Sequence, residues 1–326
     1  MTDENAPKPA SKVNPAVIVG PVVAIGAALL AVFISTGNRD KADQAAAMAD
    51  QIASVQSAGD GSAPQSPPAA PETPSVDGVT ASTDGALSYS DESITFSAAL
   101  PPGSETDPVL APLRKEALDM LAKYKASAAA DLAERKRMGA MAMQWEIELA
   151  WKQLAKAGNL VSLEGTFYEF TGGAHGMGTT ASHIARADTG EELTFTSMLV
   201  GDRSPSPALT IAICEALKTE KLKRIDSATI YDEPIVCAGP TANLKLEEAV
   251  FAIAPSNEAN KFGGLYVTYN PYSVGSYAEG TYTLTVPQQV FAEDLKPEFK
   301  ALFGGVAPAQ ALHSLMTREV GVERVR

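Results

Sequence analysis

Residues 141–170 read MAMQWEIELAWKQLAKAGNLVSLEGTFYEF, and the alternation inside this stretch sets the fold class. Met141, Met143, Trp145, Ile147, Leu149 and Trp151 take every second position, with Gln144, Glu146, Glu148 and Lys152 between them. A period of two is that of a strand with one buried face. AKAGN, residues 155–159, supplies turn residues, and residues 160–170 run back, so the pair reads as an antiparallel hairpin.

Outward from the hairpin the pattern changes. Upstream, Leu110, Leu113, Ala117, Leu121, Tyr124, Ala128 and Leu132 follow a helical stripe over residues 108–137, with Lys and Glu on the other face and Gly139 as the stop. ESITFSAALP, from Glu92, alternates as a further strand. Met138, Met141 and Met143 are expected to fill core gaps where this helix meets the hairpin. Downstream, residues 207–224 read as a helix with Cys214 and Leu217 on one face. Strands are expected over residues 244–253, 265–269 and 281–286, and short helices over QQVFAEDL and PEFKALF. Helix and strand patterns in separate blocks predict an α+β domain: antiparallel sheets packed with one long and one shorter helix.

The N-terminal quarter is different. Residues 16–34, AVIVGPVVAIGAALLAVFI, contain no charge and approach the roughly 20 residues that span a bilayer as a helix. An uncleaved anchor over 16–35 is expected, since the run exceeds a typical signal-peptide core; cleavage near Ser35 is the alternative. Residues 1–15 form a short cytoplasmic tail on this reading. Residues 36–83, rich in Ala, Pro and Ser, lack the large apolar residues of a core and read as a linker. The folded part is expected over 84–305, followed by a peripheral tail over 306–326.

Lys8 and Lys12 before the run are balanced by Arg39 and Lys41 after it, so flanking charge leaves the orientation tied. The two cysteines, Cys214 and Cys237, suit one disulfide in an oxidising compartment, with two unrelated buried thiols as the alternative. The domain is therefore placed outside the plasma (inner) membrane. A formal charge of −13 leaves no broad basic surface for phosphates and speaks against nucleic acid.

Two stretches single out candidate site residues. EFTGGAHGMG, residues 169–178, brackets His175 with Gly172, Gly173 and Gly176, a composition for positive φ or close backbone approach. NPYSVGSYAEG, residues 270–280, sets Tyr272 and Tyr277 around Gly275, which suits stacking on sugar rings or a protein partner, or a corner with both rings buried. His175 and His183 do not form a recognised zinc spacing, and Ser276 lacks the second glycine of a nucleophile elbow. No cofactor or metal is expected.

FYEFTGGAHGMGTTASHIARADTGEELTFTSML followed by NPYSVGSYAEGTYTLTVP resembles the extracytoplasmic domain shared by PdaC-type peptidoglycan deacetylases, as their N-terminal non-catalytic part, and by the RsiV lysozyme-sensing anti-sigma factor. The resemblance spans about residues 88–303. It departs from the deacetylases in having no TFDDGP-like strand end with a metal-binding histidine pair, and from the anti-sigma factor in the brevity of residues 1–15. What the resemblance implies is the shared outer domain on a tether: a binding or sensing module for peptidoglycan or a lysozyme-like protein. The competing expectation is a small envelope glycan hydrolase or deacetylase using His175.

Overall fold

The computed structural model describes residues 76–201 and 204–309. The expected anchor, the cytoplasmic tail, the linker before residue 76 and the tail from residue 310 lie outside the described residues. Among the described residues no helix is long and apolar enough to cross a membrane.

Seven strands form the main sheet in simple sequence order: β1 (Thr80–Ala81), β2 (Leu87–Ser90), β3 (Ile94–Ala99), β4 (Trp145–Ala157), β5 (Leu160–Phe170), β6 (Met177–Arg186) and β7 (Glu192–Leu193). β1 falls within the stretch expected as linker. All neighbours are antiparallel except β3 and β4. That parallel pair is joined by helix α1 (Ala111–Met138), as a parallel connection requires a crossover. The β4–β5 hairpin turns on Gly158 and Asn159, where Gly158 takes the positive φ of 54° that a two-residue turn demands.

α1 lies on one face of this sheet. Its buried Leu113, Ala117, Leu121, Tyr124 and Ala128 pack with Ile94, Phe96, Ile147, Leu149 and Leu163 in one core. The helix ends where Gly139 adopts φ 66° and its N–H caps the carbonyls of Arg135 and Lys136.

The other face of β4–β6 receives a second, three-stranded sheet of β10 (Ala249–Pro255), β11 (Phe262–Tyr269) and β12 (Tyr282–Pro287). Two serines join the sheets: Ile253 N–H donates to Ser162 Oγ at 3.0 Å, and Ser182 Oγ donates to the Phe251 carbonyl at 2.7 Å. Helix α2 (Pro207–Arg224) packs on β12 and completes the second core with Leu209, Ile213, Cys214 and Leu217. A small hairpin of β8 (Thr229–Ile230) and β9 (Glu233–Pro234) follows it, and α3 (Pro297–Lys300) closes the domain. Among the described residues three helices and these sheets make the class α+β, as expected, but the parallel β3–β4 pair makes the main sheet mixed where an antiparallel one was expected.

Some local expectations are corrected. The strand begins at Trp145, not Met141, because the pairings of both β3 and β5 reach no further back than Trp145 and Glu146. Met138 and Met141 are consequently not core fillers; Met141 is 83% exposed. Residues 246–248 form a 3-10 turn before β10, whose pairing to β11 starts at Ala249. QQVFAEDL folds as two 3-10 turns. Beyond Gly305 the chain still packs: Ala307 is buried and Tyr266 donates its hydroxyl to the Pro308 carbonyl at 2.9 Å.

Candidate binding site

The glycine loop connects β5 to β6. Gly172 and Gly173 stand at φ 98° and 112°, a region that side chains other than glycine rarely occupy. Gly176 is required for space: a Cβ there would lie 2.3 Å from the Tyr168 hydroxyl. This tight corner presents His175 on the surface.

The tyrosine loop between β11 and β12 meets it. The His175 ring stacks on Tyr277, with centroids 3.9 Å apart and planes inclined by 20°. The Tyr277 hydroxyl donates to the Gly176 carbonyl at 2.8 Å, and His175 Nδ1 lies 3.0 Å from the same oxygen. Tyr272 stands 5.7 Å from Tyr277 and is 47% exposed. Two stretches about a hundred residues apart in the chain thus form one surface cluster, with His175 and Tyr272 exposed and Tyr277 partly buried between them. Neither tyrosine is buried in a core corner.

Several devices hold the tyrosine loop in place. Asn270 clamps it to β6: Thr180 N–H donates to Asn270 Oδ1 at 2.7 Å and Asn270 Nδ2 donates back to the Thr180 carbonyl at 3.0 Å. Ser276 and Glu279 form a capping box, and a Cβ at Gly275 would strike the Glu279 carboxylate. Glu279 accepts from Lys221 of α2, from Ser276 N–H and from the Tyr282 hydroxyl.

Lys221 is completely buried and also donates to the Val274 carbonyl at 2.8 Å. Arg224, one turn on, donates to the carbonyls of Glu279 and Thr281 and lies 4.1 Å over the Tyr282 ring. Burial pushes the Glu279 carboxyl up, but the hydrogen bonds from Lys221, Ser276 and Tyr282 outweigh it and hold the group below its usual range. The Tyr282 hydroxyl moves the opposite way, raised by burial and by its bond to the Glu279 carboxylate.

Cys214 and Cys237 are bonded, with Cα atoms 5.4 Å apart, so α2 is also tied covalently to the segment after the β8–β9 hairpin. His183 is not brought to His175. It is buried further along β6, edge-on to Trp151, with Nδ1 3.7 Å from Glu192. Among the described residues no group of three His, Cys, Asp or Glu side chains is placed to hold a metal.

The sequence reading missed Lys221, Glu279 and Asn270. Lys221 could have been found: it falls seven residues after Cys214 and four after Leu217, inside the apolar stripe of α2, where a lysine must have a partner. Ser276 and Glu279 also have the spacing of a capping box.

Two family models match the chain in succession. Residues 103–178 match the family described as Deacetylase PdaC, and residues 204–289 match DUF3298, a protein family of unknown function. The resemblance read from the sequence is to this same domain. Among solved structures, the chain is similar to a DUF3298 family protein from Pseudomonas aeruginosa PAO1, at 22% identity, covering 70% of this chain and 95% of that one, with a TM-score of 0.42. A DUF3298 family member from Bacteroides fragilis NCTC 9343 is 18% identical, covering 62% of this chain and 83% of that one, with a TM-score of 0.39. No curated protein matches. The PdaC-type segment runs from before α1 through the glycine loop, and the DUF3298 segment from before α2 through the tyrosine loop. Each segment therefore contributes one of the two loops that meet at His175 and Tyr277.

Proposed function

We propose that the chain is a membrane-tethered, non-catalytic binding or sensing module of the cell envelope, anchored by residues 16–35 with its domain outside the plasma membrane. Its ligand on this reading is peptidoglycan or a muramidase-like protein. The matched PdaC and DUF3298 models support an envelope-associated domain. The Cys214–Cys237 bond supports an oxidising compartment.

The observation that carries the binding reading is the stack of His175 on Tyr277 with Tyr272 beside it. Aromatic rings at the surface of a loop fixed by a buried ion pair and a capping box are preorganised for contact. The imidazole is packed flat against a ring and engaged with the Gly176 carbonyl, an arrangement suited to shaping a surface.

The test is retention of the detergent-solubilised full chain on immobilised peptidoglycan fragments and on lysozyme. Retention by either, lost on replacing Tyr277 with alanine, supports the proposal. Turnover of an envelope glycan by the wild type, abolished in His175→Ala with the melting temperature unchanged, would establish the hydrolase or deacetylase reading in its place.

A further inference from the structure

Two tyrosines hold backbone conformations that their side chains disfavour. Tyr231, at the tip of the β8–β9 hairpin, has φ 55°, and Tyr272 has φ 70°. Such a conformation is strained for a bulky residue, and tight turns ordinarily give it to glycine or asparagine. Among the described residues Asn260 is the other non-glycine at positive φ, and there the residue type accounts for it.

Burial does not offset this strain. Tyr231 is 52% exposed and Tyr272 47% exposed. The Tyr231 hydroxyl donates to the Tyr272 carbonyl, so the two strained positions are tied to each other across separate loops. Lys245 Nζ lies 4.8 Å over the Tyr231 ring. From Tyr272 the series continues to Tyr277 at 5.7 Å and to His175 at a further 3.9 Å.

Helix α2 is tied to the segments that carry the tyrosines. Cys214 bonds Cys237, just after the Tyr231 hairpin, while Lys221, seven residues along the same helix face, holds Glu279 in the loop of Tyr272 and Tyr277. One helix therefore fixes both tyrosine loops, and the second of them reaches the glycine loop through the Tyr277 hydroxyl. Backbone strain of this kind clusters at sites that bind.

We infer that Tyr231 and Tyr272, with the His175–Tyr277 stack beside them, form one platform for a pyranose glycan chain, with Tyr231 as a contact residue; this rests on the envelope-binding reading above. The half-exposed rings of Tyr231 and Tyr272 match the flat C–H face of a pyranose while leaving its hydroxyls in water. A formal charge of −13 disfavours a polyanionic chain.

The test uses the detergent-solubilised full chain, titrated calorimetrically with the hexasaccharides of N-acetylglucosamine and of glucose. Tyr231→Gly and Tyr272→Gly each delete a ring and give a left-handed position to the residue best suited to it, so folding is preserved or improved. The wild type is expected to bind at least one hexasaccharide, and each glycine variant to bind it about tenfold more weakly with an unchanged or higher melting temperature. Tyr231→Phe keeps the ring and should lose less. Glycine variants that bind as the wild type does would overturn the platform. If the wild type binds neither hexasaccharide yet is retained by lysozyme, the glycan inference is wrong and the envelope reading stands; loss on every probe removes both.

Discussion

The half of the molecule built on α1 and the half built on α2 solve the same problem, a helix against a sheet, with different chemistry. α1 is held by a stripe of apolar residues over regular strands, and its buried side chains from Leu113 to Leu132 are apolar apart from the Tyr124 hydroxyl, which donates to Glu169. α2 has a comparable apolar contribution in Leu209, Ile213 and Leu217, but adds a disulfide at Cys214 and a buried ion pair at Lys221. The difference lies in what each helix must hold. Strands keep one another in register through their ladders, whereas irregular loops have no ladder and must be fixed residue by residue. Of the two loops that form the candidate site, the tyrosine loop is the one fastened to α2, through Lys221, and it in turn reaches the glycine loop through the Tyr277 hydroxyl.

The sharpest way to break the comparison is to remove the ion pair. Glu279→Ala leaves Lys221 charged and fully buried, and a loss of about 3–5 kcal/mol in urea unfolding is expected. A loss under 1 kcal/mol would mean that the α2 half stands on apolar packing as the α1 half does.

Opening the disulfide comes next. The cysteines are 23 residues apart, and freeing them should cost about 3 kcal/mol on the chain-entropy model. Hydrogen exchange on the reduced protein should rise first in residues 225–245 and leave the β4–β5 hairpin protected. Uniform loss of protection would show one cooperative unit instead of two differently built halves.

Acid should reach both halves through different groups. Burial raises the Asp91 carboxyl, but bonds from Ser93, Tyr89 and Ile94 overcome it and lower the group from 3.8 to about 2. Glu279 is likewise held below 4.5. A depressed folded pKa means stability that is fully present above the unfolded value and lost as pH falls through the folded one. The melting temperature should therefore fall from about pH 5 towards pH 2, and less steeply in the Glu279→Ala protein. A flat profile would remove both carboxylates from the account.

The smallest effects are expected at the glycine loop. Gly176→Val drives a side chain into Tyr168 and should destabilise by about 1 kcal/mol or more, while His175→Ala loses one stacking contact and one hydrogen bond, about 1 kcal/mol. Thermal melts of the two proteins order them; a larger effect at His175 would make the imbalance between backbone and side chain run the other way.

The α1 half was the more legible in sequence for the same reason that it is the simpler. The stripe from Leu113 to Leu132, the alternation from Trp145 and the Gly158–Asn159 turn are local periodicities, and each specifies its own element. α2 was legible too, down to its ends at Pro207 and Arg224. What local pattern cannot express is a meeting of distant residues. Lys221 and Glu279 are 58 positions apart, and Asn270 and Thr180 are 90. Both candidate loops were visible from their glycines and aromatics, but that His175 would lie on Tyr277 was not. The same limit explains Met141, whose place in an alternating run suggested a strand where no partner strand reaches it.

Asn270 has a consequence beyond fastening a loop. β6 pairs with β5 along its length, but β7 covers its opposite edge only at Ile184 and Ala185. Ahead of that, Thr180 turns a backbone donor and acceptor away from the sheet, and the Asn270 amide satisfies both, imitating the peptide group of a missing strand. A side chain that impersonates one residue of a neighbour closes the edge to any longer segment seeking to add itself there, including the same strand from another copy. The clamp thus works as a stopper against edge-to-edge self-association, so that two such domains can crowd together without zipping their sheets into one.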